Sequence, residues 1–134
     1  MTDPLPFESL DFLYIPSTDV ARDATYFSKV MGGRVVFAIE EWSTRVAMIE
    51  MTPGPPHLLF TDHVEGEAPI MIFRVVDLDT TLSSLEEAGW DRESVFEIPQ
   101  GPCSSFRAPG GQRVAIYQAT RPDVSGHFAG RFDF

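Results

Sequence analysis

An internal repeat constrains the fold of this chain more than any other feature of its sequence. Alternating side chains followed by apolar residues at helical spacing occur in DFLYIPSTDVARDATYFSKVMGG and again in PIMIFRVVDLDTTLSSLEEAGW. Asp77 is suited to cap the second helix, and Asp19 holds the equivalent place before the first. The two aspartates lie 58 residues apart. Each unit therefore begins with a strand, a cap and a helix.

Three further strands follow each helix. RVVFAIEEW, TRVAMIEMT and PHLLFTD have strand patterns in the first unit, and SVFEIP, SSFRAP and QRVAIYQ have them in the second. Glycine and proline pairs separate these segments, as turns require. Both units are therefore predicted to be βαβββ modules, module one at about 8–62 and module two at about 68–119. We expect them to form a single domain, 1–134, with a C-terminal tail at 120–134.

Modules this small cannot each bury a sheet face alone, so they should pair, with one helix on the outside of each sheet. The inner faces would form a curved trough in a mixed α+β architecture. Because successive side chains of a strand point to opposite faces, two sets follow. The helix side should hold Leu13, Ile15, Met71, Phe73, Val75, Val114 and Ile116, and the trough side Phe12, Tyr14, Ile70, Ile72, Ala115 and Tyr117.

Charge and cysteine content narrow the function classes. The formal net charge of −10 repels phosphate backbones and anionic membranes, so we expect neither nucleic acid nor a membrane as a partner. With a single cysteine, Cys103, there is no intramolecular disulfide. The start, MTDPLPFESLDF, is acidic and lacks a basic stretch with an apolar core. We expect a cytoplasmic protein.

Taken together, the twin modules, STDVARDATYFSKVMGG, VVDLDTTLSSLEEAG and the terminal APGGQRVAIYQ resemble the vicinal oxygen chelate superfamily. This superfamily comprises the glyoxalases, bleomycin-resistance proteins and extradiol dioxygenases. The resemblance covers roughly residues 8–119 and depends on the order and spacing of the motifs. It implies two βαβββ modules around a trough and, commonly, a homodimer.

The resemblance also implies where a metal would bind. Metal-dependent members hold one divalent ion in the trough through histidines on the first strand of each module and carboxylates on later strands. These positions fall on Phe12, Ile70, Ala115 and, within a residue or two, Leu59. None of these side chains is a metal ligand. We therefore predict no metal and no cofactor, and an inner surface suited to apolar contact.

Other side chains could contact a ligand in the trough. Tyr14 and Tyr117 should project inward and offer aromatic faces with polar tips, although core filling is an equal alternative. Trp42 and Phe106 could line the same trough. His57 precedes Leu59 by two positions and would face the same side, where a shifted register would make it a metal ligand.

The remaining histidines and the cysteine receive simpler interpretations. His63 lies in the polar connection between the modules and is expected to be solvated, and His127 lies in the tail. Cys103 follows QGP without a neighbouring histidine or helix start, so it is interpreted as a small apolar residue.

The sequence favours a metal-independent protein that sequesters a small organic molecule of aromatic or cationic character, as the resemblance to bleomycin-resistance proteins implies. The predicted lining is Phe12, Tyr14, Ile70, Ala115 and Tyr117, with Trp42, His57 and Phe106 as secondary contacts. No catalytic residue is predicted. One alternative is a metal-dependent lyase, isomerase or dioxygenase with ligands displaced to positions such as His57 and Glu50. Another is a dimeric interaction domain whose trough is plugged and has no pocket.

Overall fold

The computed structural model describes residues 5–41, 43–64 and 66–134. Strand, helix and three strands occur in that order twice, as the repeat predicts. The strands are β1 (Ser9–Pro16), β2 (Arg34–Glu41), β3 (Thr44–Glu50), β4 (His57–Thr61), β5 (Ile70–Val75), β6 (Arg92–Ile98), β7 (Gly101–Arg107) and β8 (Arg113–Gln118). The helices are α1 (Val20–Thr25), which continues as a π-helical segment (Tyr26–Val30), α2 (Leu78–Glu87) and α3 (Val124–Phe128).

All eight strands form one mixed sheet in the order β2-β3-β4-β1-β5-β8-β7-β6. Within each half the first strand pairs in parallel with the last, β1 with β4 and β5 with β8. The two halves join where β1 and β5 run antiparallel, with Phe12 opposite Ile72 and Tyr14 opposite Ile70. The predicted fold class, α+β with a curved mixed sheet, is confirmed.

The two long helices start at the aspartates that define the repeat. The Asp19 carboxylate accepts a hydrogen bond from the Arg22 backbone N–H at 3.0 Å, and Asp77 accepts one from Thr80 at 3.1 Å. Each bond satisfies one of the amide donors that a helix leaves free at its start. The repeat is therefore marked by the same cap in both halves. No helix in the described part of the chain combines the length and apolar character needed to cross a membrane.

Side-chain alternation divides the core into an inner layer and two outer layers. The outer layers pack under α1, around Val20 and Ala24, and under α2, around Leu82. We call the inner layer the trough cluster. It consists of Phe12, Tyr14, Phe37, Ile39, Val46, Met48, Leu59, Ile70, Ile72, Ile98, Cys103, Ala115 and Tyr117. All six residues predicted to face the trough belong to it, so that prediction of facing is confirmed.

Phe106 lies on the opposite face from the predicted one. It packs with Leu82 and Ile116 in the layer under α2, and its ring centre is 5.3 Å from that of Trp90. Its neighbour two residues earlier, Ser104, pairs with Ile116, so both belong to the helix side of β7. The expectation that Phe106 contacts a ligand in the trough is wrong for this reason. Trp42, the other predicted aromatic contact, lies outside the described residues.

The C-terminal tail packs along the edge of β2. Ala38 donates its backbone N–H to the Arg131 carbonyl at 2.9 Å and accepts from the Asp133 N–H at 2.7 Å. The Asp133 carboxylate in turn accepts the Glu40 N–H at 2.9 Å, and the Arg131 guanidinium pairs with Glu41 at 2.9 Å. The tail thereby covers a sheet edge that would otherwise expose unpaired amides.

Gly101, at the start of β7, has no room for a side chain. A Cβ placed there would lie 1.9 Å from the Gln118 carbonyl oxygen, a backbone atom that cannot rotate away. We predict that Gly101→Ala lowers the free energy of unfolding by about 1–3 kcal/mol, because strands β7 and β8 must separate. Urea denaturation measures the change.

Gly54→Ala is the matched control, since a Cβ at Gly54 meets no atom within 4 Å. Its free energy of unfolding should stay within about 0.5 kcal/mol of the parent value. Equal stability of the two variants would contradict the close approach of β7 and β8.

Candidate functional site

The four positions at which the resemblance implies metal ligands come together in the trough cluster. Tyr14 pairs with Leu59 across β1 and β4, and Ile72 pairs with Ala115 across β5 and β8. Because Tyr14 and Ile72 are themselves 58 residues apart, Leu59 and Ala115 occupy equivalent places in the two halves. The other two positions hold Phe12 and Ile70. All four side chains are buried.

A metal at this place does not fit the side chains that the chain supplies. Divalent ions are held in proteins by nitrogen, oxygen or sulfur donors, and phenyl, isobutyl, sec-butyl and methyl groups have none. Bringing a charged ion among them would incur a large desolvation cost without compensating bonds. Within residues 5–41, 43–64 and 66–134, no group of three or more His, Cys, Asp or Glu side chains is arranged to hold a metal ion.

His57 and Glu50, the displaced ligands of the alternative hypothesis, lie at one end of the trough. Ile49 pairs with Leu58 in the antiparallel register of β3 and β4, which makes Glu50 and His57 neighbours at the next position. Glu50, however, accepts a hydrogen bond from Arg34 at 2.7 Å. His57 is half-buried beside Phe12. Two donors, one of them already ion-paired, do not make a chelating site.

A cavity of about 750 Å³ opens between the two halves at the other side of the trough. Ile39 on β2 and Ile98 on β6 both line it, although these strands lie at opposite ends of the sheet order. The sheet therefore curls until its two edge strands face the same space. Val124 and Phe128 of α3 line it as well, so the tail contributes to the wall of this first cavity.

The charged groups of the first cavity are paired. Arg121 donates to the Glu97 carboxylate at 2.5 Å and to the Ile98 carbonyl at 2.9 Å. Glu41 pairs with Arg131 of the tail at 2.9 Å. These pairs are solvent-exposed and contribute little to stability, but they fix where the tail leaves the sheet. The inner surface of the cavity is made mainly of Ile39, Val46, Phe96, Ile98, Val124 and Phe128.

His63 and Phe96 also line a second cavity of about 560 Å³ on the other side of the same residues. This second cavity is more polar than the first, since Glu93, Arg107 and Arg113 line it together with Ser94. The Glu93 carboxylate pairs with Arg107 at 2.7 Å, and Arg107 is the main reason that the pKa of Glu93 is lowered. His63 and Phe96 thus form the partition between an apolar and a polar space.

Tyr14 holds His63 in place from inside the trough. Its hydroxyl group hydrogen-bonds the Nε2 atom of His63, and its ring packs at right angles to the rings of His63 and Phe96, with centres 5.6 and 5.5 Å away. Burial raises the pKa of the Tyr14 phenol above its ordinary value. Burial also lowers the pKa of His63, against the opposing charge of Asp62. Both groups are therefore neutral at pH 7.

A second phenol is fixed in the trough on the opposite side. The Tyr117 hydroxyl donates to the Asp11 carboxylate at 2.5 Å, and the Tyr117 ring lies 5.6 Å from that of Phe12. Asp11 occupies an irregularity in the pairing of β1 with β5, between Leu10 and Phe12. Burial, followed by the bond to Asp11, raises the pKa of Tyr117. This phenol stays neutral and serves as a hydrogen-bond donor.

Only some of the residues predicted to line a ligand site line either of the two cavities. Ile70 lines the second cavity, whereas Phe12, Tyr14, Ala115 and Tyr117 lie in the trough cluster and line neither cavity. Ligand contact by these four stays a prediction; their observed role is to form the floor of the trough. Cys103 also belongs to this floor, and burial raises the pKa of its thiol, which makes it a poor nucleophile.

Sequence reasoning missed His63 and the tail residue Phe128. His63 was expected to be solvated, and its side chain is exposed, but its Nε2 atom is also hydrogen-bonded to the buried Tyr14. One sequence signal could have placed it: His63 lies two residues after the end of β4, so strand alternation puts its side chain on the same face as Thr61 and Leu59. Phe128 lies in a segment without strong periodicity, and its ring centre is 5.8 Å from that of Phe37.

Comparison with solved structures identifies the architecture. Methylmalonyl-CoA epimerase from Mycobacterium tuberculosis superposes with a TM-score of 0.72 over 91% of this chain and 95% of its own, at 15% sequence identity. A hypothetical protein from Bacillus halodurans C-125 gives 0.70 over 82% and 93%, at 11% identity. At these identities the likeness shows that the chain shares its fold with both proteins.

Another structural neighbour with the same fold is known with a ligand. Methylmalonyl-CoA epimerase from Streptomyces coelicolor, in complex with 2-nitronate-propionyl-CoA, gives a TM-score of 0.69 over 86% of this chain and 96% of its own. The sequence identity is 13%, so the likeness concerns the fold. No protein-family model matches the sequence, and no curated protein matches it.

We predict that His63 makes the stability of this protein depend on pH. Its pKa is lowered in the folded state, so below pH 6.5 the unfolded chain binds a proton that the folded chain does not. The contribution is full above pH 6.5 and is lost as the pH falls through the folded-state pKa. Urea denaturation between pH 7.5 and pH 5 should show this decline.

The double variant Tyr14→Phe/His63→Phe should flatten that part of the profile, because it removes the titrating imidazole together with the hydroxyl that it pairs with. His127→Phe is the control, since His127 is exposed. A parent profile that the double variant leaves unchanged would contradict the lowered pKa of His63.

Proposed function

We propose that the protein binds a small, mainly apolar organic molecule in the first cavity and holds it without a metal ion. One observation carries the proposal. A cavity of about 750 Å³ bridges the two halves above a trough whose four metal-ligand positions hold Phe12, Leu59, Ile70 and Ala115. Cavities of this volume and apolar character are typical of sites for drug-sized ligands.

The walls of the first cavity suit an aromatic ligand. Phe96 and Phe128 face it from β6 and α3, and aliphatic side chains on β2 and β3 form the opposite wall. Removing apolar surface from water contributes roughly 25 cal/mol per Å², so such a site gains most of its affinity from contact area. Sequestration of this kind needs shape and contact area, and it needs no reactive group.

The local charges give a cationic ligand little advantage over a neutral one. The carboxylates at this cavity, Glu41 and Glu97, are already paired with Arg131 and Arg121. The net charge of −10 would still raise the concentration of cations near the surface at low salt. We therefore place a neutral aromatic compound before a cationic one.

The structural neighbours are compatible with a small-molecule ligand. The Streptomyces coelicolor epimerase is in complex with a CoA derivative, which is a small molecule bound within the same fold. The alternative of a plugged interaction domain would lack the two cavities. The alternative of a metal-dependent enzyme requires further donors beside His57 and Glu50.

We predict that filling the first cavity abolishes ligand binding. Val124→Trp adds an indole at a half-buried position of α3 that lines the cavity. Diphenylmethane, a neutral aromatic probe, should raise the melting temperature of the parent protein by several degrees, because ligands that bind the native state stabilise it. The same probe should leave the melting temperature of Val124→Trp unchanged.

Val76→Trp is the matched control, because Val76 is exposed and lines neither cavity. It should respond to diphenylmethane as the parent does. Elemental analysis of protein purified without chelators should find well under one equivalent of transition metal. One equivalent of bound metal, or the same probe response in Val124→Trp, would contradict the proposal.

We further propose that the protein is a homodimer. β6 is the last strand of the sheet order, and Val95 on it is 65% exposed, so an edge with an apolar side chain is open to a second copy. Light scattering should give twice the chain mass of 14.9 kDa. Val95→Lys should halve the measured mass, while Val76→Lys should not. A parent mass equal to one chain would exclude the dimer.

A further inference from the structure

The wall shared by the two cavities contains the imidazole ring of His63. His63 lines both cavities, and its Nε2 atom is bonded to the Tyr14 hydroxyl. The other ring nitrogen, Nδ1, makes no hydrogen bond to any residue that the structure describes. On an imidazole the two nitrogens face different directions, so Nδ1 is left for water or for a ligand.

The bond to Tyr14 determines which nitrogen carries the proton. The Tyr14 side chain is fully buried, and within the described part of the chain its hydroxyl makes one hydrogen bond, to the Nε2 atom of His63. A hydroxyl that accepted from an Nε2–H group would leave its own hydrogen unbonded in the core, so the phenol donates to Nε2. A neutral imidazole that accepts at Nε2 has its hydrogen on Nδ1. The chain of bonds thus ends in an N–H donor at the cavity.

We propose that the Nδ1–H group of His63 is the hydrogen-bond donor that selects the ligand, and that the ligand carries an acceptor oxygen such as a carbonyl beside its aromatic part. This inference rests on the proposed function and names its ligand class. Tyr14 acts as a positioning residue: its ring, held between His63 and Phe96, fixes the hydroxyl that sets the tautomer.

The charged groups at the cavities are engaged elsewhere. In the first cavity Glu41 and Glu97 are ion-paired, and Arg121 is bound to Glu97 and to the carbonyls of Pro99 and Ile98. In the second, Glu93 and Arg107 pair with each other, and Arg113 donates to the Ala68 carbonyl. Asp62, next to His63, accepts the Arg45 N–H at 3.1 Å. Of the uncharged polar side chains that line these two cavities, His63 is the one that lines both, which places it to recognise a neutral ligand.

The tautomer can be tested without any ligand. Nitrogen-15 NMR of the histidine rings at pH 7.5 distinguishes a protonated ring nitrogen from an acceptor nitrogen. We expect His63 to show Nδ1 protonated in the parent, and Tyr14→Phe to shift it toward the Nε2–H form. Tyr117→Phe removes a buried hydroxyl that bonds Asp11 instead, and it should leave the His63 signals unchanged. An Nε2–H tautomer in the parent would overturn the proposal.

The ligand class is tested with three probes of one shape. The probes differ at the carbon between the two phenyl rings. Benzophenone has a carbonyl there, diphenylmethane has a methylene group, and diphenylmethylamine has a carbon that bears a cationic ammonium group. We expect benzophenone to bind the parent about three- to tenfold more tightly than diphenylmethane, the range for one hydrogen bond, and diphenylmethylamine to bind most weakly. Isothermal titration calorimetry measures the three dissociation constants.

The double variant Tyr14→Phe/His63→Phe removes donor and partner together, so no buried hydroxyl loses its acceptor. It should bind diphenylmethane as the parent does and lose the preference for benzophenone. Equal binding of benzophenone and diphenylmethane by the parent would overturn the role of His63 while leaving the proposed function intact. If neither probe bound, both the proposed function and this inference would fail.

Discussion

The antiparallel pairing of β1 with β5 is the interaction on which the rest of the structure depends. It joins two repeated halves into one sheet and places Phe12 opposite Ile72 and Tyr14 opposite Ile70. Since side chains alternate along each strand, this pairing decides which residues meet at the centre of the trough. The hydrocarbon centre and the two fixed phenols lie around this one junction.

The centre of the trough is made of hydrocarbon. The four positions at which the sequence resemblance implies metal ligands present phenyl, isobutyl, sec-butyl and methyl groups to the core. The two phenols of the trough cluster both have partners: Tyr14 is bonded to His63, and Tyr117 to Asp11. A buried polar group that keeps its hydrogen bond costs little, whereas an isolated one destabilises the fold. The inner surface is therefore apolar with a few directed polar atoms.

The elements that could be predicted from sequence are those governed by local periodicity. Asp19 and Asp77 cap helices because a carboxylate before a helix accepts a backbone amide, whatever surrounds it. Strand alternation likewise placed Phe12 and Tyr117 correctly. Phe106 was assigned to the wrong face because the start of β7 could not be read from the sequence, and a shift of one residue reverses every side chain.

The parts of the site that could not be predicted depend on contacts between distant segments. His63 gains its role from Tyr14, which lies 49 residues earlier in the chain. Phe128 gains its role from Phe37 on β2, and no local pattern encodes that docking. The cavity itself results from the curl of the sheet, which brings Ile39 and Ile98 to one space. Curvature is a property of the whole sheet and leaves no signal in a short segment.

If the first cavity binds a small molecule as proposed, the docked tail links its occupancy to aggregation. The residues that cover the amides of β2 follow directly on the helix that lines the first cavity. A guest that strengthens the packing of α3 therefore also keeps this strand shielded, and an empty, loosened wall leaves it open to pairing with other molecules. Resistance to fibril formation during storage is then an indirect measure of whether the first cavity is occupied by a ligand.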